Sequence, residues 1–367
     1  MSRERTVANK EPFVRMIKRD TISTAKAWGV RAIAVILSLV VAGLVIVAIT
    51  KQNPIQVYFG IADGAIGTNR RMWVTIRETV GLLCIAVGLT PAFKMKFWNI
   101  GAEGQILMGG AATAGMMIYA GDAMPNGLLL IVIFIVSAVA GMVWGLIPAI
   151  FKAHFNTNET LFTLMMNYVA MQIVTFCIVF WENPAGSNTV GIINAAGKKG
   201  WFPEVFGSAY GLNVILVAVL TLGVFIYMKY SKQGYEISVV GESQNTARYA
   251  GIDVKRVIIR TMLISGAICG FAGSLIVSGA SHTISTSTAG GRGFTAIIVA
   301  WMSKFNPLAM VVVSAFLVFM QQGAIQIASQ FGLNENASDI ITGILLFFLI
   351  GCEFFINYRL ELCKNKK

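Results

Sequence analysis

Long apolar runs alternate with short polar stretches over almost the whole chain. Residues 30–50 are rich in Ile, Val, Leu and Ala and carry no charge after Arg31. At about 1.5 Å per residue in a helix, a run of that length crosses a bilayer. Comparable runs cover 73–93, 104–120, 127–151, 160–181, 211–228, 259–279, 307–328 and 339–356, and a shorter one covers 294–303. The pattern predicts an all-α polytopic membrane protein of about ten transmembrane helices, with broken or re-entrant segments where the runs are short or rich in glycine. Residues 51–72, with Asn53-Pro54 and Gly60, read as a loop. Residues 182–210 form the longest polar insertion, and Trp201 with its neighbouring phenylalanines suits the headgroup zone. The chain then divides into a tail (1–28), a membrane domain (29–357) and a second tail (358–367).

Composition sharpens this picture. Of 367 residues, 56% are hydrophobic and 13% charged, where soluble proteins carry about 25% charged. A net charge of +12 would suit nucleic acid, but the basic residues lie in the tails and in short links. Arg3, Arg5, Lys10 and Lys26 precede the first run; Lys94, Lys96, Lys152, Lys229, Lys232, Arg248, Lys255, Arg256, Arg260 and Lys304 fill alternate links; Lys364, Lys366 and Lys367 end the chain. That bias encodes membrane orientation and puts both termini in the cytoplasm, with Arg70, Arg71, Lys198 and Lys199 as exceptions. The first tail reads as basic and partly amphipathic at the membrane surface. It lacks the apolar core of a signal peptide. Five cysteines without a CxxC and only two histidines imply neither a disulfide framework nor a metal site.

The stretch Phe97-Trp98-Asn99-Ile100-Gly101-Ala102-Glu103-Gly104-Gln105 places a carboxylate and two carboxamides between apolar runs. Two readings stand: a helix starting inside the protein, with Asn99 near its N-cap and Glu103 in its first turn, or a cap at the water interface. Arg77 and Glu78 are neighbours that a helix does not turn toward one another. Asn158 or Thr157 caps the run from 160, Glu159 suits its positive end, and Thr163, Asn167 and Met171 share one face. Asn167 reads either as a helix–helix hydrogen bond or as part of a solute path. In 231–258, Ser243 caps a short helix of about 244–250 that Gly251 stops. The stretch 281–294 is rich in hydroxyls and glycine. A glycine-rich polar stretch before a truncated run occurs at 97–120 and again at 286–303, a possible internal repeat.

At these residues the chain resembles a known family. Asn99-Ile100-Gly101-x-Glu103-Gly104-Gln105, followed by Gly109-Gly110, is similar to the signature of permease subunits of bacterial ABC importers for branched-chain amino acids, ribose-type sugars and nucleosides. Asn158-Glu159-Thr160-Leu161-x-Thr163-Leu164-Met165-x-Asn167-Tyr168 looks like the nucleoside and simple-sugar branch. Gly241-x-x-x-x-x-Ala247-Arg248-Tyr249-Ala250-Gly251-Ile252 resembles its coupling loop, and Gly291-x-Gly293-Phe294-x-Ala296-Ile297 its C-terminal half. The resemblance spans about 30–357. It implies a permease for a nucleoside or related simple sugar in the bacterial cytoplasmic membrane. Its implied partners are cytoplasmic ATPase subunits, a second and different permease, an extracytoplasmic substrate-binding lipoprotein and membrane lipid.

The resemblance also assigns residues. Asn99, Glu103, Gln105, Glu159, Asn167 and Tyr168 would lie along the substrate path, and Gly241, Glu242, Asn245, Ala247, Arg248, Tyr249, Ala250 and Gly251 would dock on the ATPase. The chain has no GxxxxGK[ST] phosphate loop and no clustered acids with histidine, so it reads as a transporter subunit without a cofactor and not as an enzyme. The rival reading is an ion-coupled secondary transporter of a small polar solute, with Glu78, Glu103 and Asp339 as its carboxylates.

Overall fold

The computed structural model describes residues 14–19, 23–50, 53–205, 207–330, 332 and 335–362. Arg3, Arg5, Lys10, Cys363, Lys364, Lys366, Lys367 and the Asp339 side chain lie outside what it describes. The chain divides into two compact units, 1–64 with 320–367, and 65–319.

In chain order the first unit begins with β1 (Val14–Lys18), α1 (Thr24–Thr50) and α2 (Pro54–Ile66). The second holds α3 (Asn69–Lys94), α4 (Ala102–Ala120), α5 (Asn126–Phe155), α6 (Glu159–Trp181), α7 (Gly211–Tyr230), α8 (Lys232–Glu242), α9 (Gln244–Tyr249), α10 (Val254–Ile276) and α11 (Arg292–Met302). A π-turn, Val277–Ser281, extends α10. Helix α12 (Pro307–Gln330) leads back to the first unit, which ends with α13 (Glu335–Asn357) and β2 (Tyr358–Leu362). Among the described residues, eight helices are long and apolar enough to cross a membrane. Helix α4 has the length but is diluted by Glu103, Gln105 and four glycines, and α11 is short. All ten predicted runs are helices.

Three expectations need correction. Residues 51–72 are not simply a loop, because α2 occupies much of them. Asn53 accepts from the Ile55 N–H (3.0 Å), and Pro54 takes the first helical position, where its missing N–H costs nothing. The Asn-Pro pair therefore starts a helix that is too short to register as a span. The tails are not only basic surface segments: β1 and β2 pair antiparallel, Val14 opposite Leu362 and Lys18 opposite Tyr358. This pairing brings the start of α1 and the end of α13 to one end, where Arg31 Nη2 meets Glu353 Oε1 at 2.6 Å. The segment 231–258 holds α8 and the start of α10 besides the short helix expected at about 244–250.

The second unit is built around α10. Inside the fold, 72% of its spanning window is buried, against 28% for α6. It packs against α3, α4 and α5. Close approach here depends on glycine: a Cβ on Gly270 would lie 2.3 Å from the Ser137 carbonyl, and one on Gly141 would lie 2.3 Å from the Gly266 carbonyl. Helix backbones in contact gain dispersion where apolar burial against lipid offers little.

Candidate functional site

Helix α3 ends in a hydrogen-bonded stop. Phe97 N–H donates to the Ala92 carbonyl and Lys96 N–H to that of Phe93, both at 2.9 Å, with Lys96 in the left-handed region at φ 59°. The backbone then runs irregularly to Gly101, and its polar groups need partners away from water. Asn99 is fully buried. Its Oδ1 accepts from the Gly101 N–H (3.0 Å) and Gln105 Nε2 (3.3 Å), and its Nδ2 donates to Gln105 Oε1 and Ser265 Oγ, both at 3.3 Å. Asn167 bridges from α6: it accepts from the Gly104 N–H (2.8 Å) and donates to the Ile100 carbonyl (2.9 Å). Thr163 accepts from the Ile100 N–H at 3.2 Å.

The helix thus starts in the protein interior, and the interface-cap reading fails for Asn99 and Glu103. Asn99 does not cap α4 either. Gly101 holds the cap position, and Asn99 braces Gly101.

Glu103 turns away from its own helix end to another. It accepts from the Gly291 N–H (2.5 Å) and the Gly293 N–H (2.8 Å), at the start of α11. A carboxylate there satisfies orphan donors and meets the positive helix end. A Cβ on Gly293 would lie 2.5 Å from Glu103 Oε2, so this turn accepts glycine alone. Between the two glycines, Arg292 Nη2 reaches Glu78 Oε2 at 2.6 Å, while Arg77 Nη2 meets Glu78 Oε1 at 2.5 Å. Arg77 and Glu78 do face one another, contrary to the sequence expectation, because a three-carbon arm lets the guanidinium curl back along the helix. Arg77 also donates to Tyr210 Oη at 3.3 Å. Glu78 thus sits between two arginines beside a cavity of about 30 Å³ lined by Arg77, Glu78, Asn213 and Arg292. The far end of α11 is pinned by aromatic rings: Trp301 stacks on Trp98 at 5.3 Å and Phe305 on Phe93 at 6.2 Å. The two truncated segments of the possible repeat thus meet each other.

The six predicted path residues separate into groups. Asn99, Gln105 and Asn167 form one buried cluster, and Glu103 leaves it for α11. Glu159 pairs with Lys152 Nζ at 2.8 Å, beside Asn158, which caps α6 by accepting from Thr160 and Leu161 N–H. Tyr168 is 62% exposed, away from the cluster. The hydroxyls of 281–288 bond locally: Thr288 Oγ1 accepts from the Ser285 N–H at 2.8 Å, and Ser281 donates back to the Ile276 carbonyl at 3.1 Å. Sequence reasoning named Glu78 but not its partner Arg292, and it missed Ser265 and the aromatic pins. Only the glycines around Arg292 signalled them.

In 231–258, Ser243 caps α9 by accepting from the Thr246 N–H (3.2 Å), and Gly251 follows it at φ +77°. Gly241 and Ala247 are buried, whereas Glu242, Asn245, Arg248, Tyr249, Ala250 and Gly251 are exposed, Tyr249 by 93%. A Cβ on Gly241 would lie 2.1 Å from the Lys94 carbonyl, so α8 rests directly on the end of α3. At the opposite end of α10, His282 stacks on Trp201 with ring centroids 3.7 Å apart, and its carbonyl accepts from the Ile193 N–H (2.8 Å). Burial and the Lys198 ammonium push the His282 imidazole below the usual histidine range.

The family model for the permease component of branched-chain amino acid transport systems matches residues 74–350. The chain is 29% identical to the guanosine ABC transporter permease protein NupP of Bacillus subtilis, over 91% of this chain and 96% of the relative. It is 27% identical to the nucleoside ABC transporter permease protein NupB of Lactococcus lactis, covering 89% and 91%. With the glucose ABC transporter permease protein TsgB13 of Haloferax volcanii it shares 26%, covering 95% and 94%.

Proposed function

This chain belongs to the permease-component family of branched-chain amino acid transport systems, and on that premise we propose that it is the membrane subunit through which an ABC importer carries a nucleoside. As a permease of this family it works with ATPase subunits, a second permease and a substrate-binding protein. We take the second permease to be a different chain and the binding protein to be an extracytoplasmic lipoprotein. The observation that carries the substrate reading is likeness along nearly the full chain to two nucleoside permeases. The glucose relative keeps simple sugars as the competing outcome. An ion-coupled mechanism is not favoured, because Glu78 and Glu103 are both engaged with fixed donors.

In this reading α8 and α9 face the cytoplasm, as the basic links Lys94, Lys152 and Lys229 require. Both termini then share that side. ATP-driven closure of the motors moves α9, and Gly241 passes the motion to Lys94 and the break that follows it. Asn99, Gln105 and Asn167 keep the break intact while it moves; their burial and mutual hydrogen bonds support that role. Glu103 holds the two truncated helices together. Glu159 steadies the start of α6. Tyr168, with its ring exposed, is the member of the set free to meet a base or sugar.

The test is ligand-stimulated ATP hydrolysis by the purified complex with its binding protein, compared across guanosine, other nucleosides, pentoses and glucose. Stimulation by nucleosides is expected. Stimulation by glucose alone overturns the substrate, and absence of any copurifying ATPase overturns the mechanism.

A further inference from the structure

A cleft of about 340 Å³ opens beside the coupling segment, between the start of α8, the α9–α10 turn and the first turns of α10. Its charged lining is Lys232, Arg256 and Arg260 against Glu236 and Asp253, a surplus of one positive charge. Both acids are already committed. Glu236 Oε2 meets Arg260 Nη2 at 2.8 Å; Asp253 meets Arg256 Nε at 3.0 Å and also caps α10 by accepting from the Arg256 N–H at 3.2 Å. Lys232 is exposed and has no carboxylate within 4.0 Å among the described residues. Arg260 Nε is buried and has no acceptor. The cleft therefore keeps one uncommitted cation, Lys232, beside two arginines whose acids are already paired.

Building on the reading that α9 docks on the ATPase, we propose that this cleft is the socket for one carboxylate side chain of the ATPase surface. Ala250 and Gly251 line the cleft, directly after Tyr249, the 93% exposed ring of α9. A surface docked on Tyr249 therefore lies next to the residues that line the cleft. A monoanionic carboxylate neutralises the single surplus charge, whereas a dianionic phosphate leaves the cleft net negative. Five of the nine lining residues are charged, which suits a charged side chain better than an acyl chain.

The experiment uses the full permease–ATPase complex. Lys232→Glu and Arg256→Glu, both at exposed side chains, are compared with the unmodified chain for ATPase retention across a salt series. The expected result is roughly tenfold weaker retention at low salt, converging with the unmodified complex at high salt. Exchanging one ATPase acid for lysine, found by scanning its surface acids singly, restores Lys232→Glu. Unchanged retention and salt slope in both variants, while Tyr249→Asp abolishes retention, overturns the socket and leaves α9 docking in place. No effect of Tyr249→Asp overturns the docking reading and the socket with it. Loss of binding to phosphatidylglycerol vesicles with ATPase retention intact gives the cleft to lipid and likewise overturns the proposal.

Discussion

At the residue scale, the site turns on who satisfies whom. Glu103→Ala strips the buried Gly293 N–H and the half-buried Gly291 N–H of their acceptor, at a cost of about 1–3 kcal/mol for the buried one. Thermal unfolding in detergent is expected to fall accordingly, with Glu103→Gln intermediate because it keeps one acceptor oxygen. An unchanged midpoint in Glu103→Ala sinks the claim that this carboxylate anchors α11. His282 gives a pH dependence. The folded chain holds it neutral below the usual pKa of about 6.5, so the unfolded chain binds the extra proton first. Stability is therefore full above that value and falls as pH drops through and below it. His282→Asn, which tolerates the left-handed φ of 53° at this position, should flatten the slope between pH 7.5 and 5.5. Equal slopes in the two chains count against it. The sequence singled out Glu103 and Asn167 correctly as unusual, but not their partners: Glu103 meets a backbone 188 residues away.

At the element scale, glycine is required where two backbones meet and dispensable where nothing lies nearby. Gly270→Val forces α10 off α5, since even a Cβ would stand 2.3 Å from the Ser137 carbonyl. A folded, monodisperse peak on size-exclusion chromatography should disappear; a normal peak contradicts the packing. Gly223 in α7 has no heavy atom within 4 Å of where its Cβ would be, so Gly223→Ala is expected to stabilise by up to about 1 kcal/mol through helix propensity. A clear loss of stability there means a neighbour covers that face. Composition marked both positions alike. Local signals did better at helix starts. Asn158 and Ser243, short polar side chains, cap the helices they precede, whereas Asn53-Pro54 also opened a helix but read as a turn.

For the whole molecule, the α8 contact with the end of α3 joins the segment that carries the exposed α9 to the broken core, and the proposed coupling runs through it. Gly241→Val should push α8 away from the Lys94 carbonyl yet leave the outward face of α9 as it is. The expected outcome is retained ATPase binding and basal hydrolysis, with at least roughly tenfold less ligand-stimulated uptake, a loss of about 1.4 kcal/mol of coupling. Uptake at the normal rate removes Gly241 from the path of force. Bulky charges at Ala247 cannot test docking, because that methyl is fully buried and the fold would suffer first.

The membrane class, the ten runs, the charge bias of the links and two of the helix caps are all determined by the sequence. Hydropathy adds along the chain, and a cap needs only its next few residues. The tertiary structure alone decides that Glu103 serves α11, that Glu78 lies between two arginines, that Tyr168 faces out while Asn167 faces in, and that Gly241 touches Lys94. Each of these depends on which distant backbone occupies the adjoining space. Apolar runs pack with similar energy in several registers, and only the close fit of glycine against carbonyl, and of carboxylate against helix end, selects one.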